Sequence, residues 1–334
     1  MRQETTMRRR EPNLRSTRLS RSFYPVDSPV FAERMQAALP VEGYYTYLLY
    51  QDLDHVYPYG TGRGNPPGVQ VVGPNAERAA PLIGEALSDR SFPSLDDGLR
   101  KFVSTTAQAL VFGGPCTYEI DYLCPADEAG ADHPVAFGLE LIQPGTFSTI
   151  DGAPIQYVLP TLSEKRDPTG LPYVSLEQST LVTFTLPQDL VAPVRTVIEF
   201  LVTANQEQTK EFALKQRALT EPTPYEFSAH MREKAELFAE VTQPIGWNVR
   251  DLFKDNQLEP FGVWRQIRFL EFKVRVRDAI IDRLNQAIDQ VGKKMGFSAT
   301  IEVVGLPTLE DVRVAKEDFR TGGRGLADIG SATL

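Results

Sequence analysis

The run from Trp264 to Val291 constrains this chain more than any other segment, because its apolar residues keep helical spacing for 28 residues. Ile267, Leu270, Val274, Ile281, Leu284, Ile288 and Val291 alternate at three and four, and only Arg277 interrupts the register. A seam this regular calls for a partner helix. Phe269, Phe272, Val276 and Ile280 form a second apolar row beside it, which widens the buried face beyond that of a two-stranded coiled coil and predicts packing on two sides. At a rise of 1.5 Å per residue the segment is about 42 Å long, more than the ~30 Å of a small domain. Periodicity names the buried face but not what covers it: either a globular core or another subunit satisfies the pattern.

The 334 residues, 42% of them hydrophobic, suffice for a sizeable core, and the length suggests two or three modules. The longest apolar runs, such as Val197 to Thr203, are too short to span a bilayer. Arg8 to Arg10 are not followed by the apolar stretch of a signal peptide, so a soluble protein is expected. Cys116 and Cys124 are the only cysteines, too few for a disulfide framework. The net charge of −9 is unevenly placed. Residues 1 to 21 carry seven arginines against Glu4 and Glu11, a local +5, so the rest of the chain sums to −14. This basic arm is expected to be flexible when free. Arg8, Arg9, Arg10 and Arg15 are its candidate contacts, with nucleic acid, with an acidic neighbour subunit, or with solvent alone.

The pattern divides the chain into a basic flexible N-terminal arm (1–22), an α+β domain (23–186), a helical region (187–261), a long helix with a strand and a short helix (262–322), and a flexible tail (323–334). In the first domain a short helix is expected over Val30 to Leu39. Tyr44, Tyr45, Tyr47, Tyr50, Tyr57 and Tyr59 then crowd sixteen residues. Their acidic neighbours Asp52 and Asp54 favour packing or subunit contact over base stacking. Gly60 to Pro74 reads as a Gly/Pro-rich loop without a phosphate-binding fingerprint. Leu95 to Phe112 reads as a helix capped by Ser94 and stopped by Gly113 and Gly114. Thr117–Leu123, Leu139–Ile142, Thr146–Ile150, Ile155–Leu159 and Leu181–Leu186 read as strands of an antiparallel sheet. The helical half holds Asp189 to Leu219, with an apolar front and a polar stretch from Asn205 to Glu211 expected to face water, then Tyr225 to Val241 and the long helix, stopped at Gly292 to Gly296. A strand (Ala299 to Val304) and a helix (Leu309 to Phe319) follow.

No constellation of residues points to catalysis. His55, His133 and His230 stand apart from one another and from the cysteines, which argues against a metal site. No nucleophile elbow or zinc-protease motif is present. Cys116 follows a Gly-Gly-Pro turn where a thiol is usually just buried, and the acidic pairs Asp96/Asp97 and Glu310/Asp311 fall in first helical turns, where capping accounts for them. The expectation is a protein without cofactor, metal or enzymatic activity.

The order of motifs resembles that of the portal proteins of tailed bacteriophages, over roughly residues 40 to 322. Gly98 to Leu123 (GLRKFVSTTAQALVFGGPCTYEIDYL) is similar to the portal wing, where a helix ends in a glycine turn and a strand with an aromatic follows; Gly114, Tyr118 and Ile120 take those places. Leu141 to Pro160 resembles the wing's Leu-x-Pro-Gly turn and strand pair. Leu176 to Pro187 resembles the strand leading into the stem, with Thr183 where many portals carry a histidine. Thr223 to Val241 is similar to a stem-side helix, and Gly305 to Gly322 to the segment after the wing helix. Between Leu219 and Tyr225 there is little room for the usual clip.

The resemblance implies a ring-forming portal fold: a homo-oligomer, expected to be a dodecamer, at one capsid vertex of the virion, assembled in the host cytoplasm. Its expected partners are the major capsid protein, the terminase large subunit, a head-tail adaptor or neck protein, and the double-stranded DNA passing through the channel. In such a ring Ile267, Leu270, Val274, Ile281, Leu284 and Ile288 become the candidate subunit interface, and Lys210, Lys215 and Arg217 the candidate DNA-channel contacts. An acidic body suits a conduit that must not hold the duplex. The alternatives are another virion structural protein, such as a capsid or neck component, or a soluble nucleic-acid-binding protein or enzyme.

Overall fold

The structure, a computed structural model, describes residues 14–16, 43–57, 68–87, 94–125, 133–143, 145–157, 173–220, 227–248 and 260–322, with backbone alone for 14–16, 207–220 and 227–231. The helix expected over Val30 to Leu39, Tyr59 and the tail 323–334 lie outside these residues. In chain order the elements are β1 (Leu14–Ser16), α1 (Tyr44–Leu53), β2 (Gly68–Val72), α2 (Ala76–Leu87), α3 (Leu95–Gly113), β3 (Cys116–Pro125), β4 (Ala136–Leu141), β5 (Phe147–Ile150), β6 (Ala153–Tyr157), β7 (Tyr173–Ser175) and β8 (Leu181–Phe184), then α4 (Gln188–Thr220), α5 (Phe227–Thr242), α6 (Pro260–Met295), β9 (Thr300–Val304) and α7 (Leu309–Thr321). The class is mixed α+β with small antiparallel sheets, as expected.

Helix α3 forms where its caps and periodicity agree. The Ser94 hydroxyl accepts from the Asp97 amide at 3.1 Å, and Gly114, at φ 78°, ends the helix. Arg100 bonds both first-turn acids, Asp96 at 2.6 Å and Asp97 at 3.0 Å. The face of Leu99, Phe102, Val103, Thr106 and Leu110 is buried, and the Thr106 and Tyr118 hydroxyls share a hydrogen bond at 2.9 Å onto β3.

Strand β3 is the hub of the main sheet. One edge pairs with β4, Ile120 opposite Leu139. The other edge is shared: β8 covers Cys116 to Glu119, and β1 covers Leu123 to Pro125. A second sheet runs β5-β6-β7. Its first hairpin turns on Asp151 and Gly152, both at positive φ, the conformation an Asp-Gly pair adopts most readily between twisted strands.

Five elements depart from the sequence expectation. Leu14–Ser16, in the arm expected to be flexible, is a strand paired with β3, and Tyr44–Leu53, read only as a tyrosine cluster, is a helix. Gly68–Val72, read as loop, is a strand, because its alternating valines pair with β9, Gly68 opposite Val304, across more than two hundred residues. Ala76–Leu87 is a helix despite Pro81 inside it, held by the buried Ala79 and Ile83. Tyr173–Ser175 pairs with the outer edge of β6. The polar stretch of α4 also does more than face water. Asn205 accepts from the Tyr45 amide at 2.8 Å and donates to Thr46 at 2.9 Å, which caps α1 from another helix. Gly43, at φ 120°, leaves the room this requires: a Cβ there would stand 2.4 Å from the Asn205 side chain.

Helix α6 is longer than its seam suggested, 36 residues or about 54 Å. Gly292, expected to stop it, lies inside it and leaves room for the returning chain: a Cβ there would meet the Phe297 carbonyl at 2.4 Å. The stop is Gly296, at φ 74°, where the amides of Gly296 and Phe297 both turn back to the Gly292 carbonyl. The helix packs on two sides, as the two apolar rows predict. Its N-terminal half buries Val263, Ile267, Leu270 and Val274 against Val312, Ala315 and Phe319 of α7. Its C-terminal half joins the main core with Phe272, Val276, Ile280, Leu284 and Ile288, beside residues from α1 to β9. Arg277, the break in the register, is 5% exposed and spans the two halves by donating to the Pro307 carbonyl at 2.8 Å.

A single buried cation ties this helix to the one before it. Arg265, 1% exposed, donates to the Ala239 carbonyl at 2.8 Å, to the Thr242 hydroxyl and to the Trp247 carbonyl. These acceptors are the end of α5 and the turn after it, where helix carbonyls lack intrahelical donors and a positive charge is favoured. Trp247 in turn donates to Asp52 of α1 at 2.8 Å. Burial lowers the Arg265 guanidinium pKa to about 10, so it stays charged at neutral pH.

Candidate functional site

The residues expected to form the subunit interface are occupied within the chain. Ile267 is 0%, Leu270 8%, Val274 1%, Ile281 9%, Leu284 0% and Ile288 1% exposed. The seam's partners are α7 and the main core, so these six side chains offer no surface to a second copy, and the interface reading of the seam is corrected to intrachain packing. The periodicity marks burial correctly; the covering element is not legible in it, because α7 is short and follows a strand and a turn.

The candidate channel residues Lys210, Lys215 and Arg217 lie on the C-terminal part of α4, whose side chains from 207 to 220 are outside the described set. Arg8, Arg9 and Arg10 are outside it as well. Arg15 lies in β1, in register opposite Cys124. The tyrosine cluster splits: Tyr45 and Tyr57 are buried, while Tyr44 and Tyr47, 38% and 52% exposed, face out from α1. Tyr45 packs on Phe238 of α5, which packs on Phe200 of α4. The packing reading holds for the buried members.

An exposed feature that the sequence reading missed lies where α6 begins. Phe261, Trp264 and Phe319 floor a groove of about 600 Å³, rimmed by Arg313, Lys316 and Arg320. The Trp264 and Phe319 rings are 5.4 Å apart, and Phe261 is 48% exposed. The rim cations are each paired: Arg313 with Glu310 at 2.5 Å, Lys316 with Glu271 at 2.7 Å, Arg320 with Glu317 at 2.7 Å. The groove therefore presents an apolar floor inside a neutralised rim, the character of a protein-contact surface rather than of an anion site. Phe261 and Trp264 stand off the regular seam, which was the available sequence signal.

Among the described residues no group of three or more His, Cys, Asp or Glu side chains converges as for a metal ion, and no helix is long and apolar enough to cross a membrane. His55 and His133 are exposed and apart. Cys116 and Cys124 are free and buried, and burial pushes the Cys116 thiol up to about 12, where it is inert at neutral pH. Tyr57 and Tyr118 are likewise raised by burial.

Lys273 stands out electrostatically. Half-buried on α6 with its ammonium 5.1 Å from the Phe269 ring centroid, it has a pKa lowered by burial to about 8. The folded form then binds its proton less tightly than the unfolded chain, so between pH 8 and the ordinary lysine value stability rises with pH. Below pH 8 the full cost of burying the charge is present. Lys273→Met is expected to stabilise the protein by roughly 1 to 3 kcal/mol at pH 7. The gain should shrink toward zero above pH 10, as read from urea unfolding at a series of pH values.

Neither a protein-family model nor a curated protein sequence matches this chain.

Proposed function

We propose that this chain is one subunit of a portal ring. The ring sits at one capsid vertex, conducts double-stranded DNA during packaging and ejection, and anchors the neck or tail. The observation that carries the proposal is the order and type of the elements. A capped helix ending in a glycine turn (α3) feeds an aromatic-bearing strand (β3), a small hairpin sheet follows, and a strand (β8) leads straight into a 33-residue helix (α4). A second helix, a 36-residue helix, a strand and a short helix complete it. The order is compatible with the wing, stem and wing-helix order of the family that the sequence resembles, and this supports the reading. Six residues, 221–226, join α4 to α5, which leaves little chain for the usual clip.

The charge supports the same reading. A conduit lined with unpaired cations would bind phosphates in a salt-dependent way and slow passage. Here the body carries the excess of acid, and Lys210, Lys215 and Arg217 on α4 would supply brief contacts at most. The subunit would have no catalysis of its own; work on DNA belongs to a terminase docked on the ring. With the long seam consumed inside the chain, ring contacts fall to other surfaces, among them the Phe261/Trp264 groove.

The mass of the assembled protein tests the proposal. Mass photometry of the purified full-length chain at neutral pH is expected to give one closed species near twelve times the 37.3 kDa of a chain. A single-chain mass at micromolar concentration would refute a portal ring.

A further inference from the structure

The outer half of the β3 edge is the clearest interaction surface in the fold. Strand β8 pairs only with Cys116 to Glu119, and the place beyond it, at Leu123 to Pro125, is taken by the three residues of β1. An uncovered strand edge is a template for any extended segment, so something must fill this place. The contact as a whole is strand addition through the main chain, which asks little of the added sequence.

We propose that in the assembled ring this place on β3 is filled by the Leu14–Ser16 strand of the neighbouring copy, so that each subunit's arm adds a strand to the next subunit's main sheet. The inference rests on the ring reading above. Two observations point to a second copy. First, β1 is joined to α1 by the 27 residues 17–43, whose extended reach of up to roughly 89 Å passes the width of a subunit of this size. The same register is then available within a chain or between chains, and exchange of an identical element needs no new contact chemistry. Second, the arm carries a local +5 and the remainder −14. Packing such bodies side by side sets like charges against each other, and an arm that crosses the boundary places its arginines between two acidic bodies. An arm folded back on its own sheet gives no such relief.

The register supplies its own test. Arg15 stands directly opposite the native Cys124. Residues so paired in an antiparallel ladder have Cβ atoms close enough for a disulfide after slight adjustment. The Arg15→Cys variant, assembled and treated with copper–phenanthroline as the oxidant, should join its introduced thiol to Cys124 of another chain, seen on non-reducing gels as covalent dimers and longer ladders. Adding Cys124→Ser should abolish them, and peptide mapping by mass spectrometry should identify the bond. Rings in which every such disulfide lies within a single chain, or in which none forms, overturn the exchange and leave the ring reading intact. A protein that remains a single chain by mass in the same sample overturns the ring reading itself. Ser16→Cys with Leu123→Cys probes the same pairing one position along, so that the result does not hang on how one variant folds.

Discussion

Leu284→Asp is expected to unfold the chain, not to release folded single subunits. Leu284, on α6, is fully buried in the main core. A carboxylate there either stays ionised without a partner or takes up a proton, and the leucine's packing is lost in both cases. The combined cost is on the order of 4 to 5 kcal/mol or more, against a typical total stability of about 5 to 15 kcal/mol. Circular dichroism should show a collapsed melting transition, and most of the protein should be insoluble at 37 °C. Leu237→Asp makes the same chemical change on α5, where the side chain is 49% exposed, and is expected to cost about 1 kcal/mol or less. A folded, monomeric Leu284→Asp protein would return the seam to the role of a subunit interface.

The second large effect concerns Arg265. Truncation to Ala leaves the Ala239 and Trp247 carbonyls and the Thr242 hydroxyl without their guanidinium donor, in a site with little access to water. It also opens a cavity the size of the side chain. Leaving buried acceptors unmet and a void unfilled costs about 3 kcal/mol or more. Arg265→Lys keeps the charge but not the planar fork of donors, so it should recover only part of the loss. The chain has two tryptophans, and both report on this site. Trp247 holds Asp52 by its indole N–H, and Trp264 precedes Arg265 in α6. Urea titration followed by tryptophan fluorescence should show a lowered midpoint for Arg265→Ala. An unchanged midpoint would mean that the α5 end and its turn do not depend on the cation.

The elements that were legible in the sequence are those whose pattern repeats. Helices α3, α4, α5, α6 and α7 each carry enough turns for the apolar period to stand clear of chance, and α3 and α7 also carry caps. At α7 the Thr308 hydroxyl accepts from the Asp311 amide while the Asp311 carboxylate accepts from the Thr308 amide. Strand β2 was hidden because a five-residue strand amid Gly and Pro acquires its meaning only from β9, at the far end of the chain. Helix α2 was hidden by Pro81, a breaker that tertiary burial overrides.

The seam of α6 shows the same limit from the other side. A period of 3.6 specifies which residues are buried and is silent on what buries them. Packing supplied by α7 and the core therefore looked, in one dimension, like an interface between subunits. The groove at Phe261 and Trp264 was missed for a related reason: exposed aromatics carry no period. Arg277 was visible as an anomaly, yet beside the adjacent Asp278 it bonds the Pro307 carbonyl, a backbone group thirty residues on, which no residue-type pattern can signal.

The central claim is that this chain closes into a ring around a channel. Negative-stain electron microscopy of the purified full-length protein, with unsupervised class averages, tests it most directly. The account predicts end-on views with rotational symmetry and an axial hole wide enough for a DNA duplex. Single compact particles with no central hole, at concentrations where the protein is folded, would contradict it.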